Sequence, residues 1–260
     1  MSTEAMFTEA TSGAARRMPG SRADQARRGG DLARLFSALG DPTRLRILQA
    51  TCLQDLSPDA LALQLQISGN LLAHHLRALQ QAGLIARVHS QHDRRRTYIQ
   101  SQIGQLPWLA DLLQVPSDLH PSRVVFVCTH NSARSVLAEA LWRQASALPC
   151  TSAGTMPAHR VHPRARRAAR SLGLPMREHP PQHLDDVLQA DDIVVSVCDA
   201  VNEELPVLAN PRLHWSIADP SAVDTDPAFH QAADQLRQRV ERLAPRLERP
   251  ADRTPGKETS

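Results

Sequence analysis

The chain has 260 residues, 42% of them hydrophobic, with 22% charged residues and a formal net charge of +3, which leaves room for two ordinary domains. No apolar run approaches the roughly 18 residues that a membrane-spanning helix needs, and residues 1–30 hold scattered arginines instead of an apolar core, so neither a membrane protein nor a secreted one is expected and a cytoplasmic location is. Four cysteines, Cys52, Cys128, Cys150 and Cys198, are too few and too scattered for a disulfide framework, so each is a core residue, a ligand or a reagent.

Residues 1–30 and 248–260 read as disordered tails. The first patterned region, 31–100, carries eight arginines against five aspartates, a basic balance that suits a polyanionic partner. A first helix is predicted over 31–39, with Leu32, Leu35, Phe36 and Leu39 on one face. Asp41-Pro42 opens the second, with aspartate as N-cap and proline where its missing N–H costs nothing. Ser57-Pro58 repeats the device for a third helix over 59–66. A tight turn at 67–69 leads to a fourth over 70–82, stopped by Gly83. There Leu72, Leu76 and Leu79 form the buried stripe, while Asn70, Ala73, His74 and Arg77 face outward and Ser68 stands at the entry. Small and hydrogen-bonding groups on such a face suit a major groove. Two strands follow, 84–88 and 96–100, joined by a basic hairpin in which Arg94, Arg95 and Arg96 are placed to touch phosphate. This order predicts a winged helix-turn-helix domain that binds double-stranded DNA. His89, His92 and Asp93 mimic a metal site, but in a hairpin tip they read as a solvated loop, and no metal is expected. Residues 101–122, with Pro107, Pro116 and Pro121 around a short apolar helix at 108–113, form the linker. The apolar residues of that helix serve either a dimer interface or packing on the first domain.

From residue 123 to 247 apolar strand runs alternate with helical stretches, which predicts a three-layer α/β domain on a parallel sheet. Residues 123–128 are a buried strand running into Cys128-Thr129-His130-Asn131-Ser132-Ala133-Arg134-Ser135. A helix follows, with Leu137, Leu141 and Trp142 inward. A cysteine, five residues and an arginine between strand and helix form an oxyanion cradle: backbone N–H groups converge, and a guanidinium offers a two-pronged donor. The same field stabilises a thiolate over a thiol. Ser135 can donate to the sulfur, and Asn131 can brace the loop. Asp219, before Pro220 and after a strand-like run, can lie at the same sheet end and supply the acid that a leaving oxygen requires. Cys198 ends another strand run, and Cys150 reads as a core residue.

Two resemblances fit these motifs. Residues 36–48, the 68–79 helix and the Ala82-Gly83-Leu84-Ile85 exit resemble the ArsR-type winged-helix repressors. That implies a homodimer on a palindromic operator, released by a metal or metalloid. The sequence departs from the arsenite-sensing members, which carry a Cys-x-Cys pair near the third helix, where only Cys52 lies. Residues 123–245 resemble the low-molecular-weight protein tyrosine phosphatase and thiol-dependent arsenate reductase superfamily, through the 128–135 loop, Ser152-Ala153-Gly154-Thr155, the run 192–199 and Asp219-Pro220. The resemblance implies Cys128 as nucleophile, Arg134 as anion clamp, Asp219 as general acid and Cys198 as the second thiol. It implies arsenate or phosphate as the bound oxyanion, no bound cofactor, and reduction by an external thiol or a thioredoxin- or glutaredoxin-type partner. The tyrosine pair that follows the aspartate-proline in the phosphatases is absent. The third cysteine of the thioredoxin-linked members is replaced by Leu205. The expectation is an arsenic-responsive transcriptional regulator whose second domain binds and reduces arsenate. The alternatives are a non-catalytic oxyanion-sensing transcription factor and a phosphatase fused to a DNA-binding domain.

Overall fold

The computed structural model describes residues 22–106, 109, 113, 119–176 and 179–247. Residues 1–21 of the tail expected at 1–30, the tail expected at 248–260 and, apart from Leu109 and Leu113, the helix expected at 108–113 lie outside these residues.

Helix α1 spans Arg22–Leu39, so the helix begins well inside the stretch read as a disordered leader. Helix α2, Pro42–Ala50, starts as predicted: the Asp41 side chain accepts from Arg44 N and Pro42 occupies the first turn. Helix α3, Pro58–Leu65, is capped by the Ser57 side chain, which accepts from Ala60 N. Helix α4, Gly69–Gln81, is capped by Ser68, and it buries Leu72, His75, Leu76 and Leu79 while Asn70, Ala73, His74 and Arg77 stay exposed. Strands β1, Ile85–His89, and β2, Thr97–Ser101, pair antiparallel with Val88 opposite Tyr98. They begin one residue later than the apolar pattern places them, because Leu84 N donates to Leu79 O and closes the preceding helix instead. Leu109 and Leu113 sit in the core of this domain with Ile47, Leu48, Leu61 and Ile99, so these linker side chains pack on the first domain.

The second domain is a four-stranded parallel sheet in the order β4-β3-β5-β6, with β3 at Arg123–Cys128, β4 at Cys150–Gly154, β5 at Asp192–Ser196 and β6 at Arg212–His214. Val124, Val125, Phe126 and Val127 are fully buried, as expected of a β-branched strand covered on both faces. Helix α5, Arg134–Ala145, turns Leu137, Leu141 and Trp142 inward and packs against the long helix α10, Asp226–Leu247. The intervening helices are α6 (Pro163–Ser171), α7 (Leu184–Val187), α8 (Asp199–Glu204) and α9 (Pro220–Val223). The chain leaves β3 toward β4 on one side and reaches β5 on the other. The crevice at the carboxyl end of β3 is therefore the topological switch point, where open parallel sheets bind ligands.

The two domains are packed together. Asp55, 4% exposed, accepts from Ser216 N (2.8 Å) and Gln100 Nε2 (2.9 Å) and pairs with Arg239 Nη2 (3.0 Å). The Trp215 indole donates to Leu53 O (2.8 Å), and the Tyr98 hydroxyl donates to Glu203 Oε1 (2.9 Å). The wing corrects the reading of a solvated loop. Gln91 N donates to Asp199 Oδ2 (2.8 Å), and His92 Nε2 lies 2.9 Å from Glu204 Oε1. Asp93 holds Arg95, and Arg96 lies 3.8 Å from Glu203. Sequence periodicity sees each domain's own core and is blind to polar contacts between them.

Candidate active site

Strand β3 delivers Cys128 to the switch point, and the loop that follows is built to expose its N–H groups. The carbonyls of Cys128, Thr129, His130 and Ser132 all face away from the loop centre, accepting from Thr155, Met156, Ala158 and His162 N–H groups at 2.8–3.3 Å. Among the described residues, none of the N–H groups of Thr129, His130, Asn131, Ser132 and Ala133 donates to a protein acceptor. A loop whose carbonyls are turned outward and whose N–H groups remain unspent is an anion nest. The next residues open α5, whose N-terminal dipole adds to the same field.

Gly154 at the end of β4 makes this curvature possible. A Cβ there would lie 2.7 Å from Thr129 O and 2.9 Å from Asn131 N, closer than packed atoms tolerate. Asn131 adopts a left-handed backbone (φ 47°) and is fully buried. Its amide nitrogen donates to Ser135 Oγ (3.0 Å) and Ser152 Oγ (2.9 Å), and its amide oxygen accepts from Gln182 N (3.0 Å). This is the brace expected of Asn131. It has a further consequence. Because Ser135 Oγ accepts from Asn131, the Ser135 proton is free to point at Cys128 Sγ, 3.1 Å away.

Arg134 is 7% exposed. Its Nη2 donates to Asp219 Oδ2 (2.7 Å) and its Nη1 to Ile217 O (3.1 Å). Asp219 caps α9, with Oδ1 accepting from Ser221 N (3.0 Å) and Ser221 Oγ (2.6 Å). Burial pushes the Asp219 carboxyl up, but Arg134 and Ser221 outweigh it and hold it below the usual carboxylate value. Asp219 is thus ionised and paired with Arg134. An oxyanion that engages Arg134 competes for that pair and removes the main force keeping the carboxyl ionised.

Cys198 lies at the N-cap of α8, 1% exposed, with Thr129 Oγ1 3.7 Å from its sulfur. Burial, reinforced by the Cys128 sulfur, pushes its thiol up, and Arg134 opposes. Cys150 and Cys52 are buried away from the cradle, Cys150 in β4 and Cys52 in the first domain. Thr129, Arg134, Cys198 and Asp219 line one cavity of about 760 Å³, and its other wall is the wing, with Gln91 and Arg94. Arg94, expected on DNA, also lines this cavity, and Arg95 is 91% exposed at its side chain.

The residues that the motifs did not announce are Gln91, Asp199 and His214. Asp199 and His214 form a buried pair (Oδ1 to Nε2, 3.2 Å), and His214 Nδ1 lies 3.0 Å from Ser196 Oγ. Burial pushes the Asp199 carboxyl up, yet His214, the Gln91 N–H and Ser216 hold it below its ordinary value. Asp199 follows Cys198 directly and carried that much signal. Gln91 carried none. The described residues contain no cluster of three or more His, Cys, Asp or Glu side chains that could hold a metal ion.

A parallel sheet whose switch point bears a Cys-x5-Arg cradle defines a cysteine-based oxyanion domain, here placed behind a helix-turn-helix domain. The family model for low molecular weight phosphotyrosine protein phosphatase matches residues 123–253, and that for a helix-turn-helix domain matches residues 39–88. The chain belongs to the low molecular weight phosphotyrosine protein phosphatase family, whose superfamily includes the arsenate reductases and uses a catalytic cysteine, with a helix-turn-helix domain fused ahead of it. Arsenate reductase of Brevibacillus brevis is 33% identical over 127 residues, covering 46% of this chain and 92% of its own length. Arsenate reductase 1 of Staphylococcus epidermidis is 31% identical over 129 residues, covering 48% and 96%. Among solved structures, an arsenate reductase from Archaeoglobus fulgidus is 31% identical with a TM-score of 0.42, covering 47% of this chain and 98% of its own. No helix among the described residues is long and apolar enough to cross a membrane.

Proposed function

We propose that the chain is an arsenic-responsive transcriptional regulator: residues 31–100 bind operator DNA as a homodimer, and the C-terminal domain reduces arsenate to arsenite. The observation that carries the enzymatic half is the cradle at the switch point, where Cys128, Ser135, Arg134 and Asp219 converge. Cys198 lines the same cavity as Thr129, Arg134 and Asp219, so a second sulfur is at hand beside it. The named relatives, arsenate reductases at 31–33% identity, support the same reading.

Arsenate enters the cradle, where loop N–H groups and Arg134 take its oxygens. The Cys128 thiolate attacks arsenic. An S–As bond forms, an As–O bond breaks, and the departing oxygen leaves as water with a proton from Asp219. A second thiolate then attacks the Cys128 sulfur. An S–S bond forms, the S–As pair of electrons stays on arsenic, and arsenite departs as the two sulfurs are oxidised. Cys198 or an external thiol supplies the second sulfur, and a small thiol or a thioredoxin- or glutaredoxin-type protein restores the reduced enzyme. The raised thiol of Cys198 makes it a slow attacker at neutral pH and favours the external thiol.

The test is arsenite release by purified protein with each class of thiol donor, with p-nitrophenyl phosphate hydrolysis in parallel. Cys128→Ser is expected to abolish arsenite release with every donor, because a serine hydroxyl is neither acidic nor redox-active enough to replace the thiolate. Cys198→Ser is expected to be nearly silent with the external thiol, which leaves a mixed disulfide on Cys128 visible by intact mass. Arsenite release that survives Cys128→Ser unchanged would hand the domain to the sensing role. Phosphate hydrolysis without arsenite would make it a phosphatase.

A further inference from the structure

Asp219 lies in a segment with no regular structure, between the end of β6 at His214 and the start of α9 at Pro220. Its own domain holds that segment through Ser196 O, which accepts from Trp215 N, and through Arg134 on Ile217 O and Asp219, and the other domain holds it as well. The Trp215 indole donates to Leu53 O, Ser216 N donates to Asp55, and Ser216 O accepts from Gln100 Nε2 at 2.9 Å. At Asp219 itself the backbone N–H donates to the side-chain oxygen of Gln91 at 2.7 Å. Gln91 is in turn anchored through its own N–H to Asp199, next to Cys198, and its neighbour Ser90 is 1% exposed, with its hydroxyl accepting from His92 N and Asp93 N. The wing tip is therefore a braced turn whose one outward amide is spent on the acid's backbone.

The geometry points to Gln91 as a positioning residue for the general acid, so that the oxyanion site is complete only while the wing is docked. The inference rests on the assignment of Asp219 given above. Gln91 touches none of the reacting atoms. It fixes the peptide from which the Asp219 carboxyl projects, and a shift of even an ångström between acid and leaving oxygen slows proton transfer severely. The residue has a separate role from Arg134, which grips the anion and the carboxyl from the cradle side.

Gln91→Met, close in volume but without the amide acceptor, tests this in the full chain. Its kcat for arsenite release should fall about tenfold, with KM for arsenate within about twofold, since anion binding belongs to the loop and only acid placement is disturbed. Phosphate should still protect Cys128 from iodoacetamide at the wild-type midpoint. In the Asp219→Asn background, Gln91→Met should cost nothing further, because there is no acid left to place. A silent Gln91→Met in an active wild type would overturn this inference alone. The same drop in the Asp219→Asn background, or a lost phosphate midpoint, would also overturn it by assigning Gln91 a general structural role. A wild-type chain that turns over neither arsenate nor p-nitrophenyl phosphate would overturn both this inference and the functional reading beneath it.

Discussion

Ser135 shows how much one side chain's hydrogen-bond inventory decides. A hydroxyl has one proton, and here Asn131 occupies an acceptor position and leaves that proton for Cys128 Sγ. A hydrogen bond to a charged group contributes about 1.5 kcal/mol, or roughly a tenfold effect on thiolate reactivity. Ser135→Ala is therefore expected to slow iodoacetamide alkylation of Cys128 at neutral pH about tenfold while leaving the fold intact. An unchanged alkylation rate would show that the Ser135 hydroxyl does not set the reactivity of Cys128. The convergence of Cys128, Arg134 and Ser135 was legible because they belong to one loop, where spacing and geometry coincide. The pairing of Arg134 with Asp219 joins residues far apart in sequence and was legible only as a possibility.

Helix α4 and the wing diverge at the scale of elements. Helix α4 carries the pattern that the sequence announces, with its apolar stripe buried and Arg77 exposed. If Arg77 reads a base edge, Arg77→Ala should weaken operator binding by about 1–3 kcal/mol and relax preference at one position, measured by titration against matched and mismatched duplexes. Arg95→Ala should instead lower affinity evenly across sequences and flatten its salt dependence. Equal affinity for every duplex in a protein carrying both changes would remove the groove assignment. Of the three wing arginines, Arg95 is 91% exposed at its side chain and paired with Asp93, Arg94 lines the cavity beside the cradle, and Arg96 lies near Glu203. A charge run marks a hairpin as basic but does not say which of its charges another domain will claim.

For the whole molecule, the junction between the domains carries polar contacts whose Asp55 and Asp199 side chains are buried. Asp199 and Asp219 both have carboxyls held below the ordinary value of about 3.9; the Asp199 carboxylate accepts from Gln91 N, and the Asp219 backbone N–H donates to the Gln91 side chain. Their contribution to stability is fully present above that ordinary value and is lost as pH falls through the depressed one. Acidification from about pH 5 downward should therefore loosen the docked wing. Trp215, whose indole bonds to Leu53 across the junction, reports the loss as a change in tryptophan emission. Asp199→Asn should flatten the acid limb of that transition. An emission profile indifferent to that substitution would place the acid sensitivity elsewhere.

The sequence by itself determined the order of elements, the two caps built on aspartate-proline and serine-proline, the buried strand leading to Cys128, and the cradle that follows. Each of these rests on local forces: propensity, capping and hydrophobic period act over a few residues and leave a readable pattern. Only the tertiary structure decided that the wing lies against the catalytic cavity, that Asp55 joins both domains, and that Gln91 holds the backbone of Asp219. Those contacts are hydrogen bonds from polar side chains to partners distant in the chain. They have no period, and an exposed glutamine in a hairpin looks the same whether it faces water or an active site. The hydrophobic core is written redundantly along the sequence, whereas this junction is written once, at positions whose meaning depends on which surfaces the fold brings together.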